Sequence, residues 1–130
     1  MEITRSVDIE NIVRLALSDY FDAYCRPLPD KFKVPSLLVQ KVGGTDKSTI
    51  DTFDVVIDSR AKDEATADEL LRNAIGVLKQ VSDDQTTAIR SVTVNSSGSW
   101  GSDPVRPDLA MCSARLIIVA HEEKTTINRR

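Results

Sequence analysis

The order of apolar patterns along the chain limits its fold more than any single motif does. Two segments repeat apolar side chains at steps of three and four residues, and four segments show the apolar runs or alternation of strands. The helical segments are 8–23 and 65–80, and the strand segments are Ser36–Val42, Ile50–Ser59, Ala88–Asn95 and Ala110–His121. The order α-β-β-α-β-β predicts an α+β fold, a two-layer sandwich with both helices packed on one face of a mainly antiparallel four-stranded sheet.

Local signals predict where the two helices begin. Asp8 precedes the first apolar stripe, and its carboxylate can accept hydrogen bonds from the free amides of a first helical turn. Thr66 and Glu69 have the spacing of a capping box, in which each side chain accepts from a backbone amide at the helix start. Pro27 and Pro29 follow the first stripe and cannot continue a helix.

Strict alternation in the last strand segment assigns its residues to two faces. The even-numbered residues from Ala110 to Ala120 are small or apolar and form the face turned toward the helices. The other face carries Ile117 and Val119, and Val56 takes the matching position on the Ile50–Ser59 segment. This second face has no predicted helix to cover it, and it is more apolar than a face exposed to solvent. We therefore predict that Val56, Ile117 and Val119 contact another subunit.

Composition indicates a small acidic domain with little titratable or redox chemistry. The 130 residues suit one domain, 1–130, with a polar end over 122–130 that we expect to fray. The formal net charge of −3 lacks the basic excess of a nucleic-acid binder. The longest apolar run, Leu116–Ala120, is far too short to span a membrane, so we expect no membrane partner. The two cysteines form no redox motif, which favours a reducing cytoplasm.

Candidate catalytic and ligand-binding groups are few, and each has a simpler explanation. Gly44–Ser48 only superficially matches a phosphate loop, since Asp46 stands where that motif requires glycine. Asp54 and Asp58 share a strand face, but an extended strand separates them by about 13 Å, too far for one metal ion to bridge. We therefore predict no enzyme activity, no cofactor and no catalytic or metal-binding residue. A small metal-dependent nuclease using Asp54, Asp58 or His121 is the alternative from another class.

The stretch over 96–108 combines small polar residues with stiffening prolines, and we predict a long loop there. Trp100 is the only tryptophan, and it either folds back onto the sheet edge or serves as a contact residue at an interface. Arg106 stands between Pro104 and Pro107, so the loop would present a fixed cation. Trp100, Arg106 and Pro107 are accordingly candidate interface residues.

Five segments of the chain, taken in order, form a recognisable arrangement. They are Val39–Gly44 at a strand end, the strand Phe53–Ser59, the helix Ala65–Gln80, the loop with Arg106-Pro107, and the final strand Met111–Ala120. Over residues 8–122 this arrangement resembles the tail terminator proteins of long-tailed siphophages, also called minor tail or tail-completion proteins. Family members often carry arginine directly before the paired glycines, whereas Lys41 stands one position further back here.

The resemblance implies an α+β subunit that forms a homo-hexameric ring. In that family the ring caps the growing tail tube, stops its polymerisation and docks to the head–tail connector, while DNA passes through the channel without specific binding. The resemblance also implies a protein of the virion, at the head-proximal end of the tail, assembled in the bacterial host cytoplasm. Another head–tail joining or neck-completion protein is an alternative, as is a cellular regulatory or ligand-binding module.

Overall fold

Seven strands and two helices make up the computed structural model, which describes residues 1–47, 50–85 and 87–130. In order they are β1 (Glu2–Arg5), α1 (Ile9–Ser18), β2 (Ala23–Cys25), β3 (Ser36–Lys47), β4 (Ile50–Ala61), α2 (Glu64–Asp84), β5 (Ile89–Ser102), β6 (Ala110–His121) and β7 (Glu123–Thr126). A five-stranded mixed sheet has the order β2-β3-β4-β6-β5, and β1 pairs with β7 in a separate two-stranded sheet. The predicted α+β class and its two helices are confirmed.

The predicted four-stranded sheet is wrong, because the sheet has a fifth strand at one edge. β2 spans only three residues and pairs in parallel with β3, and so short a strand cannot show alternation in the sequence. The remaining pairs, β3–β4, β4–β6 and β5–β6, are antiparallel. The chain order is therefore β-α-β-β-β-α-β-β-β rather than α-β-β-α-β-β.

The two ends of the chain pair with each other. β1 lies antiparallel to β7, and the Met1 amino group donates a hydrogen bond to the Ile127 carbonyl at 2.9 Å. Residues 123–126 are thus a paired strand, where the sequence predicted a frayed end over 122–130. Their side chains are polar on both faces, so apolar alternation gave no signal of a strand.

The first helix begins where the sequence predicts and ends earlier. Asp8 is the N-cap, and its Oδ1 accepts a hydrogen bond from the Asn11 amide at 3.3 Å. The helix stops at Ser18, so the last five residues of the predicted 8–23 helix instead turn and enter β2. Ile9, Val13 and Leu17 are buried on one side of the helix, as the apolar stripe predicts.

The second helix begins before the predicted capping box. Asp63 is the N-cap, and its carboxylate accepts from the Thr66 amide at 2.8 Å and from the Thr66 hydroxyl at 3.0 Å. Thr66 is therefore a donor inside the first turn, and the capping role predicted for Thr66 and Glu69 is wrong. The helix continues to Asp84, where Gln85 ends it in the left-handed conformation with φ of 54°.

Two strands are longer than their apolar patterns. β3 continues beyond its predicted end at Val42, through Gly44 to Lys47, with a bulge between Lys41 and Gly43. β5 continues to Ser102, which makes the predicted loop over 96–102 wrong. β5 is an edge strand with three register shifts against β6, and its Ser/Gly half has no regular apolar alternation. The connecting loop is confined to 103–109.

Both helices pack on one face of the five-stranded sheet, and the core lies between the two layers. α2 contacts β4, β5 and β6, whereas α1 contacts β2, β3 and α2. The buried apolar sheet residues of this face include Leu37, Val39, Phe53, Val55, Ile57, Cys112, Ala114, Leu116 and Ile118. The face assignment predicted from the alternation in the last strand is therefore confirmed. Within the described residues, the structure has no helix that is both long enough and apolar enough to cross a membrane.

Candidate functional site

The sheet face turned away from both helices, called the open face below, carries the three apolar residues predicted to contact another subunit. Val56, Ile117 and Val119 all lie half-buried on it. In the β4–β6 register Val56 lies opposite Arg115, and Ile117 lies opposite Asp54. Apolar and charged side chains are therefore interleaved across the strands, so this part of the open face offers both area for burial and charge for specificity.

Asp58 links three strands on the open face. The Gln40 side-chain amide donates to Asp58 Oδ2 at 2.9 Å, and the Ser113 hydroxyl donates to Oδ1 at 2.5 Å. Both carboxylate oxygens thus take part in cross-strand hydrogen bonds between β3, β4 and β6. His121 lies opposite Ile50 in the register, about 26 Å along the strand from Ser113. The described residues contain no group of three or more His, Cys, Asp or Glu placed to hold a metal ion.

A buried ion pair that the sequence did not predict lies at the other end of the open face. Arg60 Nε is 2.7 Å from Asp103 Oδ2, and the two residues are 8% and 3% exposed. Asp103 Oδ1 also accepts the Val105 amide at 2.9 Å and the Arg106 amide at 3.3 Å. Burial alone would raise the pKa of Asp103, but these amides and the Arg60 guanidinium hold it below its ordinary value. Asp103 therefore anchors the 103–109 loop to the end of β4.

Arg106 is held by contacts on two sides. Its guanidinium carbon lies 5.8 Å from the centroid of the Phe32 ring, and its Nη2 lies 3.2 Å from Asp108 Oδ2. The Arg106 side chain remains 43% exposed, and Pro107 beside it is exposed. The loop therefore presents a partly exposed cation that contacts Phe32 and Asp108.

The 103–109 loop and the segment over 28–32 enclose a cavity of about 460 Å³. Leu28, Phe32, Leu38 and Val105 contribute apolar walls, and Arg60 contributes a buried polar group. Within the described residues, Arg60 Nη1 has no hydrogen-bond partner. The cavity can hold an apolar side chain next to one hydrogen-bond acceptor, such as a peptide carbonyl.

The structure brings some of the predicted interface residues together and separates others. The three apolar residues share the open face, whereas Arg106 and Pro107 lie on the 103–109 loop beside the cavity. The backbone of Trp100 lies in β5 opposite Cys112. Its side chain lies outside the part of the molecule that the structure describes, so both interpretations of Trp100 stay open.

Sequence reasoning missed Arg60, Asp103 and Phe32, which build the cavity. Arg60 lies two residues after Asp58 and therefore on the same strand face. Two charged side chains on one face indicate a face exposed to solvent rather than a buried one. A signal for Asp103 was available, because an aspartate followed by proline often accepts amides of the next residues in a turn. Its partner on another strand could not be predicted from local sequence.

Comparison with known proteins adds no family to these observations. The sequence matches no protein-family model and no curated protein. A functional proposal therefore depends on the surfaces described above and on the resemblance of short segments.

Proposed function

We propose that this chain is a non-enzymatic structural subunit of a bacteriophage tail, a tail terminator that forms a ring. The observation that carries the proposal is the open face, where Val56, Ile117 and Val119 lie half-buried while both helices pack on the opposite face. Apolar side chains left at a sheet surface favour burial against another subunit. The resemblance of residues 8–122 to siphophage tail terminators supports the specific role and a hexameric ring.

A closed ring needs two different surfaces on every subunit, because contacts that repeat by rotation join unlike surfaces. The open face is one candidate surface. The 103–109 loop, with Arg106 and Pro107 exposed on it, is a separate candidate for contact with the tail-tube protein or the head–tail connector. The net charge of −3 suits a channel through which DNA passes without being retained.

Termination by such a ring requires no covalent chemistry and no cofactor. One side of the ring would match the last layer of the tail tube, and the other side would differ from it. Tube subunits then have no matching surface on which to add, and the connector can bind there instead. In this proposal the protein is made in the host cytoplasm and resides at the head-proximal end of the tail in the virion.

The first test of the proposal measures the mass of the protein in solution, for the wild type and for a variant with an altered open face. We expect the wild-type protein to show a multi-subunit mass in native mass spectrometry and rings in negative-stain images. The double variant Val56→Thr and Val119→Thr keeps β-branched side chains but adds hydroxyls on the open face. It should remain folded by circular dichroism and lose the ring.

A matched control is Leu15→Gln, which makes a 50% exposed residue of α1 polar on the other side of the molecule. This control should assemble like the wild type. Rings of unchanged stability in the double variant would exclude the open face as the subunit contact. Equal losses in the control and the double variant would indicate a general effect of polarity.

A second test distinguishes a tail terminator from another head–tail joining protein. Both kinds of protein could use the open face as a contact surface, so the first test does not separate them. Phage particles are grown with and without the gene, and their tails are measured by electron microscopy. Loss of a terminator should give over-long tail tubes. Tails of normal length that remain unattached to heads would instead assign the chain to the neck.

A further inference from the structure

One side of β3 is covered by a neighbouring strand over only part of its length. β2 pairs with β3 over Leu37–Val39 alone, whereas β3 continues to Lys47. In the described part of the chain, no strand pairs with β3 on this side beyond Val39. An uncovered strand edge offers amides and carbonyls with which another strand can pair. This uncovered stretch of β3 is called the free edge of β3 below.

Lys41 is the first residue of the free edge whose amide and carbonyl point away from β4. The Leu37 amide donates to the Asp22 carbonyl oxygen at 2.9 Å, so the backbone of Leu37 faces the β2 side. Backbone hydrogen-bonding groups alternate between the two sides of a strand, so Val39 and Lys41 face that side as well. A bulge follows between Lys41 and Gly43 and interrupts the regular edge. Lys41 is therefore the position at which a further strand would continue the pairing begun by β2.

Two side chains occupy this position where a strand could lie. The Lys41 amide donates to Glu10 Oε2 at 3.0 Å, and Arg26 Nη2 donates to the Lys41 carbonyl oxygen at 2.9 Å. Arg26 Nη2 also lies 2.6 Å from Glu10 Oε2, which connects the two side chains to each other. The carboxylate accepts the amide as a strand carbonyl would, and the guanidinium donates to the carbonyl as a strand amide would. These two side chains, called the Glu10–Arg26 pair below, thus imitate one residue of a neighbouring strand.

The Glu10–Arg26 pair is held at the boundary between the protein interior and solvent. Glu10 lies in the first turn of α1, and Arg26 directly follows β2. Their side chains are 18% and 50% exposed, respectively. Partial burial would raise the pKa of Glu10, but hydrogen bonds from Arg26 and the Lys41 amide hold it below its ordinary value. The carboxylate is therefore charged at neutral pH, and a strand from outside would have to displace the half-exposed guanidinium.

We propose that the Glu10–Arg26 pair is an autoinhibitory contact, which prevents a strand of a second copy of this chain from pairing with the free edge of β3. A second copy is the occupant that is excluded, because every copy presents the same edge and uncovered edges lead to self-association. The contact acts whether or not the chain forms a ring. In a ring it has a particular use, because subunits that also pair through a strand edge would grow into open assemblies.

The test removes the pair and measures whether the free edge becomes available. We expect the double variant Glu10→Ala and Arg26→Ala to form species larger than the wild-type assembly, with a size in analytical ultracentrifugation that grows with protein concentration. At low concentration its Lys41 amide should exchange with deuterium about tenfold faster than in the wild type, because a hydrogen bond to a charged group is lost. At high concentration this exchange should slow again, since the added strand protects the amide.

A proline at position 41 distinguishes strand pairing from other causes of association. Lys41→Pro removes the amide that an added strand would use, and proline is tolerated at an edge position whose amide points away from the neighbouring strand. Added to the double variant, Lys41→Pro should restore the wild-type size. Lys41→Ala in the same background removes the side chain but keeps the amide, so the larger species should persist.

The matched control is the exposed ion pair of Asp68 and Arg72 on α2. Asp68→Ala with Arg72→Ala should leave the size of the assembly unchanged. A Glu10→Ala and Arg26→Ala variant that stays at the wild-type size would overturn the proposal, because its free edge would be uncovered and unused. Larger species that persist with Lys41→Pro would also overturn it, since they would form through another surface. If the double variant does not fold, Arg26→Ala alone changes a half-exposed side chain and is judged by the same two outcomes.

Discussion

At the scale of single residues, one carboxylate determines where a whole loop lies. Asp103 receives hydrogen bonds from Arg60 on β4 and from the amides of Val105 and Arg106 in the loop itself. Arg60 and Asp103 are both buried, so each depends on the other for charge compensation. Both residues also line the cavity beside the loop.

Removing the charge of Asp103 is therefore predicted to be costly. We expect Asp103→Asn to lower the free energy of unfolding by about 3–5 kcal/mol, because Arg60 would keep a buried charge without its counterion. Urea denaturation measures this loss. The control Asp108→Asn removes an exposed carboxylate that contacts Arg106, and its effect should stay within about 1 kcal/mol. Similar losses at the two positions would contradict the anchoring role.

The same carboxylate predicts how stability depends on pH. The pKa of Asp103 in the folded protein lies below its ordinary value of 3.8. Its stabilisation is thus fully present above that ordinary value and is lost as the pH falls through the lowered pKa. Urea denaturation at several acidic pH values should show this decline in the wild type and a smaller decline in Asp103→Asn. An identical decline in both proteins would assign the acid sensitivity to other carboxylates, such as Glu10, whose pKa is also lowered by Arg26 and Lys41 despite partial burial.

At the scale of elements, the start of α2 shows how a sequence signal can be displaced by one helical turn. Asp63 caps the helix, and Glu69 is exposed in the helix beyond the first turn. We expect Asp63→Ala to lower the thermal midpoint measured by far-ultraviolet circular dichroism, because the Thr66 amide loses its acceptor. Glu69→Ala should leave the midpoint unchanged. The opposite ranking of the two variants would restore the capping box predicted from the sequence.

The elements that were predictable are those with one buried face. In β6 the alternation of buried and half-buried residues follows the apolar pattern of the sequence, and it located Ile117 and Val119 on the open face. β2 is too short for a pattern, and β1 and β7 are polar strands that pair across almost the whole chain. Their formation depends on tertiary contacts, which a local pattern does not contain.

The same distinction applies to the candidate site. Val56, Ile117 and Val119 could be predicted because alternation alone places them on one face. The pairing of Arg60 with Asp103 depends on the register between β4 and β6 and on the 103–109 loop that precedes β6, which local sequence does not define. Asp51 lies two residues before Phe53 and therefore on the same face of the strand. Alternation in the sequence alone could thus have placed this charged residue on the buried face.

At the scale of the whole molecule, the two faces of one sheet are covered differently. Both helices cover one face, and the 103–109 loop together with the segment over 28–32 closes one end of the other. The remainder of the open face carries Val56, Ile117 and Val119 next to the exposed Arg115. The chain therefore has apolar surface that the proposed assembly would bury, which would link folding and assembly thermodynamically.

This linkage predicts that thermal stability depends on protein concentration. A ring binds only folded subunits, so mass action stabilises the folded state more strongly at higher concentration. We expect the thermal midpoint of the wild type, measured by calorimetry over about a hundred-fold range of concentration, to rise steadily. The Val56→Thr and Val119→Thr double variant should have a midpoint that is independent of concentration, because its open face no longer supports assembly. A wild-type midpoint that also stays constant would contradict assembly of the isolated protein, and equal slopes in the two proteins would place the subunit contact away from the open face.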